Sequence, residues 1–209
     1  MSTIPGLLAP GSLTPAEDFV TAPTGLRVLG LDLSLTSTGV CLPDGTSYRI
    51  KTRDRDGDRR LVAIRDNIRE ALAEHRPHLA VIEDLPKHAM SAGLTAQVHG
   101  PVKCELIDAD VPFGFVVPAT LKSFACDNGR ADKREMAAAA YLAAGAEFPG
   151  DLNARGEGGD MCDAWWLRAA GHDWVGRPLF ALPRAQRDRL VKAKWPSAYR
   201  QRYVMGVAA

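Results

Sequence analysis

The chain has 209 residues, 46% hydrophobic and 24% charged, which suits one α/β domain with a full core and leaves little room for two. Its 26 basic and 25 acidic residues give a formal net charge of +1, so bulk charge neither demands nor excludes a nucleic-acid partner. Cys41, Cys104, Cys126 and Cys162 form no CxxC pair and sit at no zinc-finger spacing, so they read as buried reduced thiols of a cytoplasmic protein; no run approaches the roughly 18 apolar residues of a membrane span, and no basic-then-apolar start marks a secretory signal.

Residues 1–24, rich in Pro, Gly, Thr and Ser, read as a flexible N-terminal extension. The apolar run Val28-Leu29-Gly30-Leu31-Asp32-Leu33 predicts a buried central strand. Thr38 to Leu42 and Thr46 to Thr52 flank the turn signal Pro43-Asp44-Gly45, so the three segments form an antiparallel meander. Leu61, Ile64, Ile68 and Leu72 recur at helical spacing and predict a helix from Arg59 to His75, stopped by Pro77. Leu79 to Glu83 reads as a second buried strand. Leu94 to Ala109 reads as a helix in which Gly100 and Pro101 close-pack or kink the chain. A third buried strand runs from Phe113 to Val117. Helices follow at Pro118 to Ala125, Asp132 to Ala144 and about Gly159 to Ala170. This order predicts an α/β fold: a mixed sheet, three antiparallel strands plus two parallel ones, with helices on both faces. The domain is expected over 25–175. Residues 176–209 are set apart as a basic tail, since Pro183 to Tyr203 holds Arg184, Arg187, Arg189, Lys192, Lys194, Arg200 and Arg202 against the single acid Asp188.

Two acids stand where the pattern calls for apolar residues. Asp32 lies inside the first strand and Glu83 ends the second. A carboxylate there costs several kcal/mol unless it is paired or binds a cation. Asp160 and Asp163 share one face of the last helix, just after Gly158-Gly159. Four oxygen donors without histidine or cysteine favour magnesium or manganese over zinc. Two such ions about 4 Å apart activate a water and stabilise the leaving oxygen of a phosphodiester, with Asp32 as the bridging ligand.

These residues resemble the RuvC family of Holliday junction resolvases, which have an RNase H-like fold. Gly30-Leu31-Asp32-Leu33-Ser34-Leu35-Thr36-Ser37-Thr38-Gly39-Val40 resembles the family's first strand and turn, and Val81-Ile82-Glu83 its second acidic strand. Gln97-Val98-His99-Gly100 stands where the family has its dimer-interface helix. Asp127-Asn128-Gly129-Arg130-Ala131-Asp132-Lys133 resembles its basic loop, and Asp160-x-x-Asp163-Ala164 its last acidic pair. The resemblance covers about Arg27 to Gly171. Many members carry an aromatic after the second acid; here Glu83 is followed by Asp84-Leu85-Pro86-Lys87-His88.

The resemblance implies a homodimeric crossover junction endonuclease, a hydrolase of DNA recombination and repair. It would use two Mg2+ ions per subunit, with Mn2+ as a substitute, held by Asp32, Glu83, Asp160 and Asp163. Lys133 counts among the catalytic residues, and Lys122, Arg130 and Lys133 lie along the DNA backbone. Either Leu85 or His88 takes the aromatic's role or junction opening and sequence preference differ; Lys87 and His88 are expected near the DNA, and the basic tail, itself a departure from the family, adds phosphate contacts through Arg184, Arg187, Lys192 and Lys194. Branched DNA is the partner implied, with a branch-migration helicase left open and no membrane; the Ala-, Arg- and Asp-rich composition points to the cytoplasm of a bacterial or phage-infected cell. The rival readings are a nuclease for flaps, forks or RNA, a non-catalytic junction-binding protein, and an actin-like ATP-binding protein, whose first phosphate loop the Asp32-to-Gly39 stretch also resembles.

Overall fold

The computed structural model describes residues 23–85, 92–156 and 158–197. Strands β1 (Val28–Asp32), β2 (Ser37–Cys41) and β3 (Ser47–Lys51) form the expected meander. Helix α1 (Arg59–His75) leads to β4 (Leu79–Glu83), and α2 (Ala92–Asp108) to β5 (Phe113–Val116). Then come α3 (Pro118–Cys126), α4 (Lys133–Ala144), α5 (Asp160–Trp174), the single turn α6 (Arg184–Arg187) and a 3₁₀ helix (Asp188–Lys192). Among the described residues the sheet runs β3-β2-β1-β4-β5, with β1, β4 and β5 parallel and the meander antiparallel.

Strand alternation divides the core into two layers. Leu29, Leu31, Ala80 and Ile82 pack with Ile64, Ile68 and Leu72 of α1 and with Val98, Val102 and Leu106 of α2. On the other face Val28, Leu79 and Val81 pack against α5, with α3 and α4 beside it. Helix α5 is buried along almost its whole length, so it is apolar on every side rather than along one stripe. It lies unusually close to the sheet because three side chains are missing from the contact. A methyl at Gly30 would stand 2.0 Å from the Ala164 carbonyl oxygen, and one at Gly39 1.9 Å from that of Asp160. A methyl at Gly171 of α5 would stand 2.7 Å from Val28 and Val81.

Three features differ from the sequence reading. Helix α2 continues through Pro101, and Gly100 has open space where its Cβ would point, so it packs against nothing within this chain. The cysteines are free, but Cys104 is exposed rather than buried. The segment read as the start of a tail is part of the core. Phe180 stacks on Trp165 at 5.3 Å, Trp195 stacks on Trp174 at 4.8 Å, and Leu190 is fully buried. Lys194 pairs with the free edge of β5 at Phe115. Aromatic burial outweighs the local run of positive charge, which is why composition alone misplaced the boundary. No helix among the described residues is long and apolar enough to cross a membrane.

The glycine contacts predict a graded cost. Gly30→Ala drives a methyl into helix backbone and should destabilise by about 3 kcal/mol or more. Gly171→Ala meets only side-chain methyls and should cost visibly less. Urea denaturation of both variants checks the order.

Candidate active site

Parallel pairing of β1 with β4 sets Gly30 against Val81 and Leu31 against Ile82. One step further, Asp32 and Glu83 end their strands side by side, and both lie on the α5 face by alternation. Their carboxyls influence each other's proton affinity. Asp160 opens α5 directly over Gly39, and Asp163 follows one turn later. The absent side chains of Gly30 and Gly39 thus let the helix bring its acids down onto the strand-end pair. Ser37 Oγ donates to Asp160 Oδ2 at 2.6 Å.

Lys133 enters from α4. Asp132 caps that helix, accepting from the amides of Arg134 (2.8 Å) and Glu135 (2.9 Å), while Glu135 accepts from the Asp132 amide at 2.7 Å. The Lys133 stem crosses Gly159, where a methyl would collide with its Cδ at 2.7 Å. Its ammonium then pairs with Asp163 Oδ2. The other oxygen, Asp163 Oδ1, is buried without a hydrogen-bond partner.

The cluster is electrostatically crowded. Burial, then the charges of Glu83, Asp163 and Asp160, push the Asp32 carboxyl well above its ordinary range. Burial and the Asp163 charge raise Glu83 to about 7. Burial also raises Asp163, against the pull of Lys133. For Lys133 burial acts downward, but Asp163, Asp32 and Glu83 outweigh it and lift the ammonium above its usual value. The charge of Lys122, on α3, pulls both Glu83 and Asp163 downward, as the smallest of the influences on each.

An uncompensated buried carboxylate oxygen and several mutually repelling carboxyls suit a hard cation. Among the described residues no three acidic, histidine or cysteine side chains converge on one point tightly enough to cage an ion. The donor set therefore fits ions held by one or two carboxylates each, with water and phosphate oxygens completing the shell, which is how magnesium is usually bound.

The other nominated residues are scattered. Arg130 is exposed on the loop after α3 and forms no ion pair with the four acids. Lys87 and His88 fall outside the described residues, as does the question of what replaces the aromatic after Glu83. The Arg187 guanidinium holds the buried Asp173 at 2.9 Å, which ties it to the core. Lys194 reaches Asp84, next to Glu83, at 2.7 Å. Arg184 is exposed and lies 3.8 Å from Asp188, and Lys192 is exposed. Sequence reasoning missed Ser37 as a partner of Asp160, although the motif contained it. It also missed Arg49 and Asp151, which no local pattern singles out.

A five-stranded sheet in this order, with acids at the ends of β1 and β4 under an acidic helix start, is an RNase H-like fold. A family model for crossover junction endodeoxyribonuclease RuvC matches residues 24–142, and the chain belongs to the RuvC family. That match contains Asp32, Glu83, Lys122, Arg130 and Lys133 and ends before α5. The chain is 29% identical over 197 residues to crossover junction endodeoxyribonuclease RuvC of Saccharopolyspora erythraea, covering 87% of this chain and 99% of that one. It is 28% identical to the Nocardia farcinica protein of the same description over 181 residues, covering 81% and 92%. Among solved structures it resembles Thermus thermophilus RuvC in complex with a Holliday junction substrate. There the TM-score is 0.60 at 19% identity, covering 82% of this chain and 99% of that one. At such identity the likeness bears on the fold.

The crowding has two measurable consequences in the metal-free protein. Asp32→Asn removes a buried charge from a repelling group and should raise the thermal midpoint in EDTA by about 2–8 °C. The folded protein also holds the Glu83 proton more tightly than the unfolded chain does. That carboxyl contributes stability in full below pH 4.5, and the contribution is lost as pH rises through 7. Denaturant titrations in EDTA across that window should show falling stability with rising pH, and Glu83→Gln should flatten the slope.

Proposed function

We propose that the chain is a divalent-metal-dependent endonuclease that resolves four-way DNA junctions. The observation that carries this reading is the buried cluster in which Asp32, Glu83 and Asp163 raise one another's proton affinity, with Asp163 Oδ1 buried and uncompensated and Lys133 as the resident counter-ion. Membership in the RuvC family supplies the substrate class.

Asp32, Glu83, Asp160 and Asp163 would hold magnesium, with manganese as a substitute. When bound, the metal supplies an activated water and neutralises charge on the phosphate. The protein's own residues do the rest. Asp32, at the end of a rigid strand between the other acids, keeps the donors in register. Ser37 holds the orientation of Asp160 through its hydroxyl. Lys133 and Lys122 offer compact positive charges to the scissile phosphate. Water adds at phosphorus and the bond to the 3′ oxygen breaks, leaving a 5′ phosphate and a 3′ hydroxyl.

Symmetric nicks across a junction need two equivalent centres, which a two-fold dimer provides. The exposed Leu94, Gln97 and Ile107 on α2 supply a face for a second copy, in line with the Gln97-to-Gly100 motif. The exposed Lys192 extends the basic surface from the β4 end of the site, while Lys194 and Arg187 are engaged by Asp84 and Asp173.

Synthetic junction, fork, flap and RNA–DNA hybrid substrates with magnesium test the reading. The junction should be nicked on two opposed strands, and Asp32→Asn or Glu83→Gln should each reduce the rate by at least about 10³-fold. Cutting that survives both substitutions would end it. Lys192→Glu should weaken duplex binding and make the salt dependence shallower by about one unit; wild-type affinity at low salt would remove that residue from the DNA surface.

A further inference from the structure

We propose that Asp151 is a positioning residue for the carboxylate cluster, holding the first turn of α5 so that Asp160 and Asp163 stay free for the site. This inference rests on the nuclease reading.

Helix α5 begins in an unusual way. Its cap position is Gly159, at φ +89°, which brings no side chain to the helix start. Nor is there room for one, because the Lys133 stem lies across it. The first amides of the helix are satisfied from elsewhere. Asp151, eight residues upstream and 2% exposed, accepts from the Met161 amide through Oδ1 (3.2 Å) and from the Cys162 amide through Oδ2 (3.0 Å).

The loop that carries Asp151 is itself clamped. Gly159 N donates to the Asp151 carbonyl at 3.3 Å, and Leu152 bridges to Gly158. A methyl at Gly158 would stand 2.2 Å from that carbonyl oxygen, so only glycine lets the loop close. Arg49 of β3 then grips the loop from the sheet. Its Nη2 donates to the Gly150 carbonyl at 2.5 Å, its Nη1 to the Asp151 carbonyl at 3.3 Å, and its Nε lies 3.8 Å from Asp151 Oδ1. Arg49 pairs in register with Gly39, the residue on which the Asp160 backbone rests. The start of α5 is therefore tied to the β2–β3 hairpin twice, once by direct contact and once through Arg49 and Asp151.

The chemical consequence concerns which acid does what. Acids in a helix's first turn are the natural partners of its free amides and of the positive end of its dipole. Asp160 and Asp163 occupy that turn, yet neither caps the helix. Asp160 accepts from Ser37 and Asp163 pairs with Lys133, both toward the cluster. Asp151 takes the capping task and leaves them to it. A fully buried carboxylate used this way is bonded on both oxygens, so it resists rotation and fixes the height of the helix start above the strand-end acids.

The test uses full-length Asp151→Ala, Asp151→Asn and Arg49→Met, with Ile68→Val on α1 as a control for lost core stability. Free Mn2+ is followed by electron paramagnetic resonance without DNA, junction cleavage in magnesium gives kcat, and junction affinity is measured in EDTA. Asp151→Ala should raise the Mn2+ concentration for half-saturation and lower kcat, each by roughly 10–100-fold, with junction affinity in EDTA near wild type. Asp151→Asn keeps an acceptor oxygen and should recover much of the loss. Arg49→Met should shift both readouts the same way by less, and Ile68→Val should shift neither. Should Asp151→Ala not fold, Asp151→Asn and Arg49→Met carry the same comparison. Wild-type metal binding and cutting, with unaltered midpoint and kcat in the variants, would overturn the role of Asp151 alone. A wild-type protein that binds no Mn2+ and cuts no junction would overturn the nuclease reading and this inference with it.

Discussion

The distance between α5 and the sheet governs the rest of the molecule. Gly30, Gly39 and Gly171 leave no side chains where strand and helix backbones meet, and the helix settles onto β1 and β2 at near-contact range. Only at that range do acids on the helix and acids on the strands belong to one cluster. The same approach buries them, and burial with mutual repulsion lifts Asp32, Glu83 and Asp163 toward protonation. The fold thus stores an electrostatic conflict that Lys133 relieves in part. A rigid close-packed scaffold can hold such a conflict where a looser one would relax by moving the helix away.

The fold was largely legible in the sequence because its signals are local. Short apolar runs and 3.6-residue patterns placed the strands and the long helices to within a few residues, and the Pro43-Asp44-Gly45 turn gave the meander its direction. The four acids were legible for another reason: Asp32 and Glu83 break apolar runs, and such breaks have few structural explanations. Their joint role as a site was an expectation of the family resemblance, and mutual electrostatic influence among Asp32, Glu83 and Asp163 is what the structure adds to it. The Asp32-to-Gly39 stretch also resembled a phosphate loop, because a strand, a hydroxyl-rich turn and a glycine serve both architectures. The family match and the second acid on β4 separate the two.

What stayed hidden depended on long-range contacts. Asp151 lies in a glycine-rich loop with no periodicity, and its partners are a helix start ten residues on and an arginine a hundred residues back. The basic segment misled for the opposite reason. Its charges are locally conspicuous, but Arg187, Arg189 and Lys194 are engaged by Asp173, Asp127 and Asp84, acids supplied by other parts of the chain. Counting acids within the segment could not reveal those pairings. The aromatic residues Phe180 and Trp195 were the available clue, since large rings in a run of that kind usually have something to cover.

The late position of those covering rings bears on how the protein is made. Synthesis proceeds from the N-terminus, and domains tend to close as their parts emerge. Here the sheet and α5 are made first, while the groups that roof α5 and occupy the open side of β5 come last. A nascent chain that has reached Trp174 carries an uncovered indole surface and an unpaired strand edge, both invitations to association. The layer over α5 is therefore complete only when the segment through Trp195 is in place, so the packing that steadies the helix start depends on residues made long after it.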